Sequence, residues 1–284
     1  MIRKGSMSAY SWINLARRGR FGAIVGAWAF SLAVTACTAM PPTAGQPVSA
    51  TPTALHGDAP SAVQPNEGPL AVPPNLVALT QPAGQTRLLN AGDKQSYWPL
   101  SQYFETQRNQ AYCSVATSVM VLNALGVRRP PSTQYPDFPY YSQEDFFRGV
   151  DPKVATAARV SQEGMTLDQL SAALAAFPVT VTKYHAADLT LAQFRDLIRT
   201  TTAQSDRFAL VNFRRVEIGE TGGGHWSPLG AYDAATDSAL LLDVARYKYP
   251  AVWVPMAQLY AGALAPDSVS GISRGIVIVG KGTP

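Results

Sequence analysis

Apolar residues recur every three or four positions in three segments of the chain. The segment 112–125 shows this spacing, and Gly126 follows it as a natural helix end. The segments 166–177 and 190–201 show the same period. Since this spacing places the apolar side chains on one helical face, we predict a helix in each of the three segments.

Shorter runs rich in β-branched and aromatic residues predict strands. They lie at 179–184, 208–216, 226–232, 239–244, 251–254 and 275–279. The helical segments come first and the extended ones later, without a regular alternation of strand and helix. This order predicts an α+β fold rather than a doubly wound parallel sheet.

The first 36 residues differ in composition from the rest of the chain. They carry five basic residues and no acid, and they end in an uncharged apolar run before Cys37. A run of roughly 15 residues fits the core of a secretory signal, whereas a membrane-spanning helix needs about 20. Small residues directly before Cys37 resemble the lipobox of bacterial lipoproteins. We expect 1–36 to be a signal peptide and Cys37 to be lipid-modified; an ordinary signal that ends near a cysteine is the alternative.

A segment rich in proline, alanine and threonine follows, at 37–74. Its closely spaced prolines exclude a regular helix or a central strand, so we expect an extended tether. Thr38, in place of an aspartate after Cys37, resembles the pattern of lipoproteins in the outer membrane of Gram-negative bacteria. The sequence thus predicts an exported lipoprotein, anchored on the periplasmic side, with one domain at 75–284.

The positive net charge belongs to the predicted signal. The whole chain carries +4, and residues 1–36 contribute +5 of it, so the remainder carries −1. The basic balance of the full sequence therefore gives no argument for a nucleic-acid partner.

Cys113 lies in the first turn of the predicted helix 112–125. The unpaired N–H groups and the dipole of a helix N-terminus favour a thiolate, so we expect a nucleophile with a lowered pKa. Gln107, six residues earlier, could bring its amide beside the sulfur and complete an oxyanion hole with the Cys113 N–H. A buried, inert cysteine is the alternative.

The chain contains three histidines, and one of them is a candidate base. His56 lies in the predicted tether and is excluded, while His185 follows a predicted strand and is expected at its end. His225 follows three glycines, which let another group or a ligand approach the backbone closely. We therefore choose His225; a solvated histidine in a hairpin turn is the alternative.

A catalytic histidine needs a third group that fixes its tautomer. Asp243 follows the apolar run 239–242, where a carboxylate requires a partner. A turn at 233–238 would place His225 and Asp243 at neighbouring positions of one hairpin. The alternative is a structural ion pair between Asp243 and Arg246.

Four segments resemble the catalytic domain of phytochelatin synthases. They read QRNQAYCSVA at 107–116, GMTLD at 164–168, GGHWSPL at 223–229 and LDVARYKYP at 242–250. The likeness covers about residues 74–279. It implies a papain-like cysteine peptidase fold, with an N-terminal helical part whose nucleophile helix packs on an antiparallel sheet. It also implies a triad of Cys113, His225 and Asp243, with Gln107 in the oxyanion hole.

The resemblance further implies the chemistry of that family. The thiolate cleaves the Cys–Gly amide of glutathione, and a γ-glutamylcysteinyl thioester then passes to a second glutathione or to water. Gly224, Asp267 and Arg274 look like substrate contacts, although local sequence alone would make the last two surface charges. The chain resembles the short bacterial members, so we expect hydrolysis first and phytochelatin synthesis second.

Metal chemistry is expected only through the substrate. The chain has no thiol besides Cys37 and Cys113, whereas plant-type members carry a cysteine-rich region that senses metal. We therefore expect no metal site and no required cofactor, with Cd²⁺ or Zn²⁺ modulating activity as glutathione thiolates. A link to metal detoxification follows from the family, and a homodimer is left open.

Two other functions fit the same residues. A papain-like peptidase acting on peptidoglycan or a leader peptide would share the triad. A surface lipoprotein without activity would keep the fold and make no use of Cys113. The segment 128–141, rich in proline and aromatic residues, could form a lid in either enzyme, with packing on the surface as the alternative.

Overall fold

A computed structural model describes residues 68–127, 137–138 and 140–282. The predicted signal peptide, Cys37 and most of the predicted tether lie outside these residues, as does most of the segment 128–141. Leu70 donates a backbone hydrogen bond to the carbonyl of Lys248 at 2.9 Å. The last residues of the predicted tether therefore contact the domain. Within the described residues, no helix has the length and apolar character needed to span a membrane.

A seven-stranded sheet forms the centre of the described chain, with the order β1-β6-β5-β4-β3-β7-β2. All neighbouring strands in it are antiparallel. The strands are β1 (Val77–Ala78), β2 (Val179–His185), β3 (Arg207–Arg214), β4 (Gly224–Asp233), β5 (Ser238–Leu241), β6 (Val252–Pro255) and β7 (Gly275–Lys281).

Seven α-helices surround this sheet in the described residues. They are α1 (Pro82–Asn90), α2 (Tyr97–Gln102), α3 (Cys113–Ala124), α4 (Ala157–Glu163), α5 (Leu167–Leu174), α6 (Leu191–Thr202) and α7 (Met256–Leu264). Short 3₁₀ helices lie at Asp145–Arg148, Ala186–Asp188 and Arg215–Ile218.

The two faces of the sheet are covered by different helices. Helix α3 is buried along nearly its whole length and packs, with α5, in one core cluster that includes Trp226 and Trp253 of the sheet. A second cluster joins Phe194 of α6 and Leu259 of α7 to the opposite side chains of the strands, such as Val211. Alternate strand residues thus point into two separate cores. The predicted α+β class, with the Cys113 helix packed on an antiparallel sheet, is confirmed.

The three predicted helices are α3, α5 and α6. Their starts have a local cause in two cases, because Thr166 and Thr190 each form a capping box with the glutamine three residues later. The six predicted strands are β2 to β7. The predicted strand 239–244 ends earlier, at Leu241, and the predicted strand 208–216 ends at Arg214, where a 3₁₀ turn begins.

Candidate active site

Cys113 is the first residue of α3 and is buried. The backbone N–H groups of Ser114 and Trp226 are directed at its sulfur and favour the thiolate. Burial nevertheless raises the pKa of the thiol, and these N–H groups only partly oppose it. The lowered pKa predicted from the helix terminus is therefore wrong, because desolvation is the larger effect. Because the pKa of the thiol is raised, formation of the thiolate requires a base.

His225 is the second residue of β4 and is buried beside Phe213, its partner in β3. Its Nε2 lies 2.8 Å from Oδ1 of Asp243. This contact leaves Nδ1 as the ring nitrogen available to Cys113, and both side chains line one cleft. Burial lowers the pKa of His225, although the Asp243 carboxylate opposes the shift, so the imidazole is neutral and can accept a proton.

Asp243 lies just past the end of β5 and is fully buried. The predicted hairpin is present, since Asp233 pairs with Ser238 at its turn. Oδ1 of Asp243 also accepts the backbone N–H of Ala245 at 2.8 Å. Burial alone would raise the pKa of Asp243, but His225 and an arginine hold it well below its usual value. The carboxylate is therefore ionised and fixes the imidazole.

The arginine that pairs with Asp243 is Arg215, not Arg246. Arg215 donates to Oδ2 and Oδ1 of Asp243 at 2.7 and 3.0 Å. Arg246 instead lies over the ring of Phe104, 4.7 Å from its centroid. The sequence placed Arg215 inside a strand, where it had no distinguishing mark. The 3₁₀ turn after β3 carries the residue that is buried behind the histidine.

Gln107 is buried, and its side-chain amide is held by two acceptors. Nε2 donates to the carbonyl of Asn109 at 2.8 Å and to the hydroxyl of Tyr247 at 2.9 Å. Gln107 lines a neighbouring cleft that His225 also borders. Both hydrogens of the amide are therefore engaged in this structure. An oxyanion role requires that one of these two bonds be given up.

The cleft beside Cys113 has a volume of about 190 Å³ and contains a buried ion pair. Nη1 of Arg274 donates to Oδ2 of Asp267 at 2.7 Å and to Oδ1 of Asn212 at 2.8 Å. Both members of the pair are buried, so the alternative of two surface charges is wrong. Nε of Arg274 is buried and has no hydrogen-bond partner among the described residues. Arg274, which lines the cleft, thus has one buried donor that is not used.

Asp267 and Gly224 both hold Arg274 in place. Oδ1 of Asp267 accepts the backbone N–H groups of Val269 and Ser270 at 2.9 and 3.2 Å, which closes the loop beside the cleft. A Cβ atom at Gly224 would lie 2.4 Å from Nη1 of Arg274, so only glycine leaves room for the guanidinium. Both residues border the cleft, and both support Arg274.

Asn212 and Trp226 line the cleft as well, although no catalytic or binding role was predicted for either. Asn212 is a polar residue within the buried strand β3, and this was the one signal that could have revealed it. Nε1 of Trp226 donates to the carbonyl of Met165 at 2.9 Å. This bond ties β4 to the loop between α4 and α5, which forms the other wall of the cleft.

The family follows from comparison of the sequence with known proteins. The sequence model described as "Phytochelatin synthase" matches residues 68–276. The chain belongs to the phytochelatin synthase family. Its α+β architecture, with the Cys113 helix packed on an antiparallel sheet, agrees with the fold that the resemblance implied. Cys113, His225 and Asp243 all lie in the matched segment, together with Arg274.

Several curated relatives carry the name glutathione gamma-glutamylcysteinyltransferase. Number 3 of Lotus japonicus is 29% identical over 211 residues, 73% of this chain and 43% of that protein. Number 1 of Triticum aestivum is 30% identical over 68% of this chain and 37% of its own length. The Schizosaccharomyces pombe protein is 30% identical over 68% of this chain and 45% of its own length. The chain spans less than half the length of these relatives.

A solved structure also matches, but loosely. It is a fragment of prointerpain A from Prevotella intermedia, with a TM-score of 0.35 and 11% identity, covering 69% of this chain and 73% of that chain. At this level the match carries no argument.

One remaining candidate of this phytochelatin synthase family member, His185, does not line the cleft. His185 ends β2, as predicted, and its Nδ1 lies 2.7 Å from the carbonyl of Ser273. In the part of the chain that the structure describes, no three or more His, Cys, Asp or Glu side chains are grouped so that they could hold a metal ion. His56 and Cys37 fall outside the described residues.

Proposed function

We propose that this chain catalyses thiol-dependent acyl transfer from glutathione, with Cys113 as the nucleophile. One observation carries the proposal: Cys113 shares a cleft with a buried His225–Asp243 pair and with a buried arginine, Arg274. The names of the relatives point to the same chemistry, since they describe a γ-glutamylcysteinyl transfer from glutathione.

The acylation step uses the neutral thiol and the neutral imidazole. Nδ1 of His225 removes the proton from Cys113, and the thiolate attacks the carbonyl carbon of the Cys–Gly amide. The C–N bond then breaks, and the imidazolium gives its proton to the departing glycine nitrogen. Asp243 stays ionised throughout and stabilises the imidazolium. The products are free glycine and a γ-glutamylcysteinyl thioester on Cys113.

The tetrahedral intermediate needs donors for its oxygen. The Cys113 backbone N–H and the amide of Gln107 are the proposed pair. Because the amide bonds Asn109 and Tyr247 in this structure, substrate binding must turn it or displace Tyr247. Tyr247 is half exposed and is the easier of the two to move.

The γ-glutamyl end of glutathione carries one amino and one carboxylate group. Arg274 suits that carboxylate, because it lines the cleft and a guanidinium recognises a carboxylate through its N–H donors. Asp267 orients Arg274 and adds the opposite charge that an ammonium group prefers. A small zwitterion fits this arrangement better than a long peptide does.

We further propose that water is the main acceptor of the acyl group, which gives γ-glutamylcysteine, with transfer to a second glutathione as the minor outcome. His225 takes a proton from the acceptor, and Cys113 leaves as the thiol. Cd²⁺ or Zn²⁺ would act as glutathione thiolates, without a required cofactor. The exported, lipid-anchored location through Cys37 also belongs to this proposal, as does a homodimer.

The experiment incubates the chain from residue 68 onwards with glutathione, with and without Cd²⁺ or Zn²⁺, and measures glycine, γ-glutamylcysteine and phytochelatin by mass spectrometry. Cys113→Ser is expected to abolish glycine release. His185→Gln, a histidine change outside the cleft, should leave it unchanged. Equal glycine release by wild type and Cys113→Ser would refute the proposal. Cleavage of peptidoglycan peptides, without glycine release from glutathione, would assign a peptidase instead.

The membrane proposal has its own test. Full-length protein and Cys37→Ser are expressed in a Gram-negative host, and inner and outer membranes are separated. Wild type is expected in the outer-membrane fraction with a lipid mass on Cys37, and the variant in the soluble fraction. The same distribution for both proteins would contradict the anchor.

A further inference from the structure

Behind the His225–Asp243 pair lies a buried chain of charged side chains. Arg215 binds Asp243 with two hydrogen bonds, at 2.7 and 3.0 Å, and its Nη1 also donates to Oε2 of Glu220. Arg215, Glu220 and Asp243 are each 3% exposed or less. The sequence of contacts is therefore imidazole, carboxylate, guanidinium, carboxylate, away from water.

When Glu220 is ionised, the two carboxylates of Asp243 and Glu220 leave a net charge of −1 after pairing with Arg215. Arg215 alone offsets Asp243 and disfavours a proton on His225, since its charge lowers the pKa of the imidazole. An ionised Glu220 offsets the charge of Arg215, so the negative charge of Asp243 acts on His225 without that opposition. A neutral Glu220 removes that charge again. The protonation of Glu220 thus changes the stability of the imidazolium.

Both forms of Glu220 are compatible with the site. Burial raises its pKa to about 7, although Arg215 opposes the shift. Its other oxygen, Oε1, is buried without a hydrogen-bond partner among the described residues, so the ionised form is incompletely satisfied. Glu220 sits at the far end of the chain of contacts, where it can gain a proton without breaking the bond between Asp243 and His225.

Other charged and titratable groups also face this site. Lys248 acts on Glu220 from the loop after β5 and favours its ionised form. Tyr249 stacks its ring against Arg215, with the guanidinium 5.4 Å from the ring centroid, and its hydroxyl accepts the N–H of Thr221. These contacts hold Arg215 in the orientation that both carboxylates use.

We infer that Glu220 is a positioning residue that acts through Arg215: its ionised carboxylate frees the charge of Asp243 for the His225 imidazolium and so promotes the thiolate of Cys113. The inference rests on the proposed triad, but not on glutathione as the substrate.

The test measures alkylation of Cys113 by iodoacetamide from about pH 5.5 to about pH 8.5, because the alkylation rate reports the thiolate without any glutathione. Wild type is compared with Glu220→Gln, which keeps shape and loses charge, and with Glu220→Asp, which keeps the charge. Glu217→Gln is the matched control, since Glu217 is a nearby glutamate that pairs with Arg214 and lies outside the chain of contacts. Thermal unfolding verifies that each variant is folded.

We expect Glu220→Gln to react about tenfold more slowly than wild type above pH 7 and at nearly the same rate at about pH 5.5, as one pKa unit implies. Glu220→Asp and Glu217→Gln should keep the rise of the rate with pH. A purely structural role would slow Glu220→Gln equally at every pH, and this result would overturn the inference. Should the Glu220 variants not fold, a wild-type profile without a rise centred near pH 7 would overturn it as well. If Cys113 is alkylated as expected but the protein does not turn over glutathione, the proposed substrate is wrong and the inference about Glu220 stands.

Discussion

Replacing Gly224 by alanine should force the guanidinium of Arg274 out of its position. The added Cβ would lie 2.4 Å from Nη1 and 2.7 Å from both Cζ and Nη2, closer than any ordinary contact. A normal separation of about 3.5 Å requires a shift of roughly 1 Å. Nη1 carries the hydrogen bonds to Asp267 and Asn212, at 2.7 and 2.8 Å, and such a shift would strain or break both.

The size of the effect follows from those bonds. A hydrogen bond to a charged group contributes about 1.5–3 kcal/mol, and the proposed bond from Arg274 to the substrate carboxylate is of this kind. Its loss should raise KM for glutathione about 10- to 100-fold. The change in kcat should be smaller, because Cys113 and His225 keep their places.

Steady-state kinetics of glycine release would measure this, with Gly223→Ala as the matched control. A Cβ at Gly223 meets nothing within 4 Å, and neither glycine has a backbone conformation that excludes alanine. The control should therefore behave like wild type. If Gly224→Ala and Gly223→Ala give the same KM, Arg274 does not hold the substrate and the assignment of this cleft is wrong.

Three further outcomes are expected. Asp243→Asn should lower kcat about 100-fold or more, because an amide cannot stabilise the imidazolium. Glycine release at saturating glutathione measures this effect. An unchanged kcat would show that Asp243 is not part of the triad. Thr190→Ala removes the capping box of α6 and should cost about 1 kcal/mol in urea unfolding with unchanged activity, whereas an unaltered unfolding midpoint would show that the cap adds nothing. The pKa of Glu220 is raised to about 7 from 4.5, so its contribution to stability grows as the pH falls through that window. As the pH falls from about 7 to 4.5, Glu220→Gln should therefore become less stable relative to wild type. If the melting temperatures of the two proteins change in parallel over that pH range, this expectation is contradicted.

Local signals were enough for part of the site. His225 follows a glycine run and opens a strand, and Asp243 is a carboxylate after an apolar run, so their pairing across one hairpin could be predicted. Cys113 could be placed at a helix start from the periodicity of α3. Its pKa could not, because the shift depends on how deeply the folded chain buries the sulfur.

Tertiary contacts decide the remainder. Arg215 was hidden inside a predicted strand, and only the 3₁₀ turn after β3 directs it behind the histidine. Asn212 and Arg274 lie 62 residues apart along the chain and meet only because β3 and β7 are neighbours in the sheet. The amide of Gln107 was predicted from spacing alone, which could not show that Tyr247 would bind it.

Helices α1 and α7 were missed for reasons of local sequence. Helix α1 begins with a proline and contains Gly84, which lies against the backbone of Ala78, so its pattern is not that of a strong helix. Helix α7 starts at Met256, directly after β6 ends at Pro255, without an intervening loop. Without a loop between them, no turn residues in the sequence mark where the strand ends and the helix begins.

The most direct test of the proposed function is to trap the acyl-enzyme. The chain is mixed with glutathione, quenched in acid within one turnover, and analysed by intact and peptide mass spectrometry. We expect the mass of one γ-glutamylcysteinyl group on the peptide that contains Cys113, with an equal amount of glycine released in the burst. The label should be absent in Cys113→Ser. Release of glycine without any covalent label on Cys113 would contradict the thioester and, with it, the central claim.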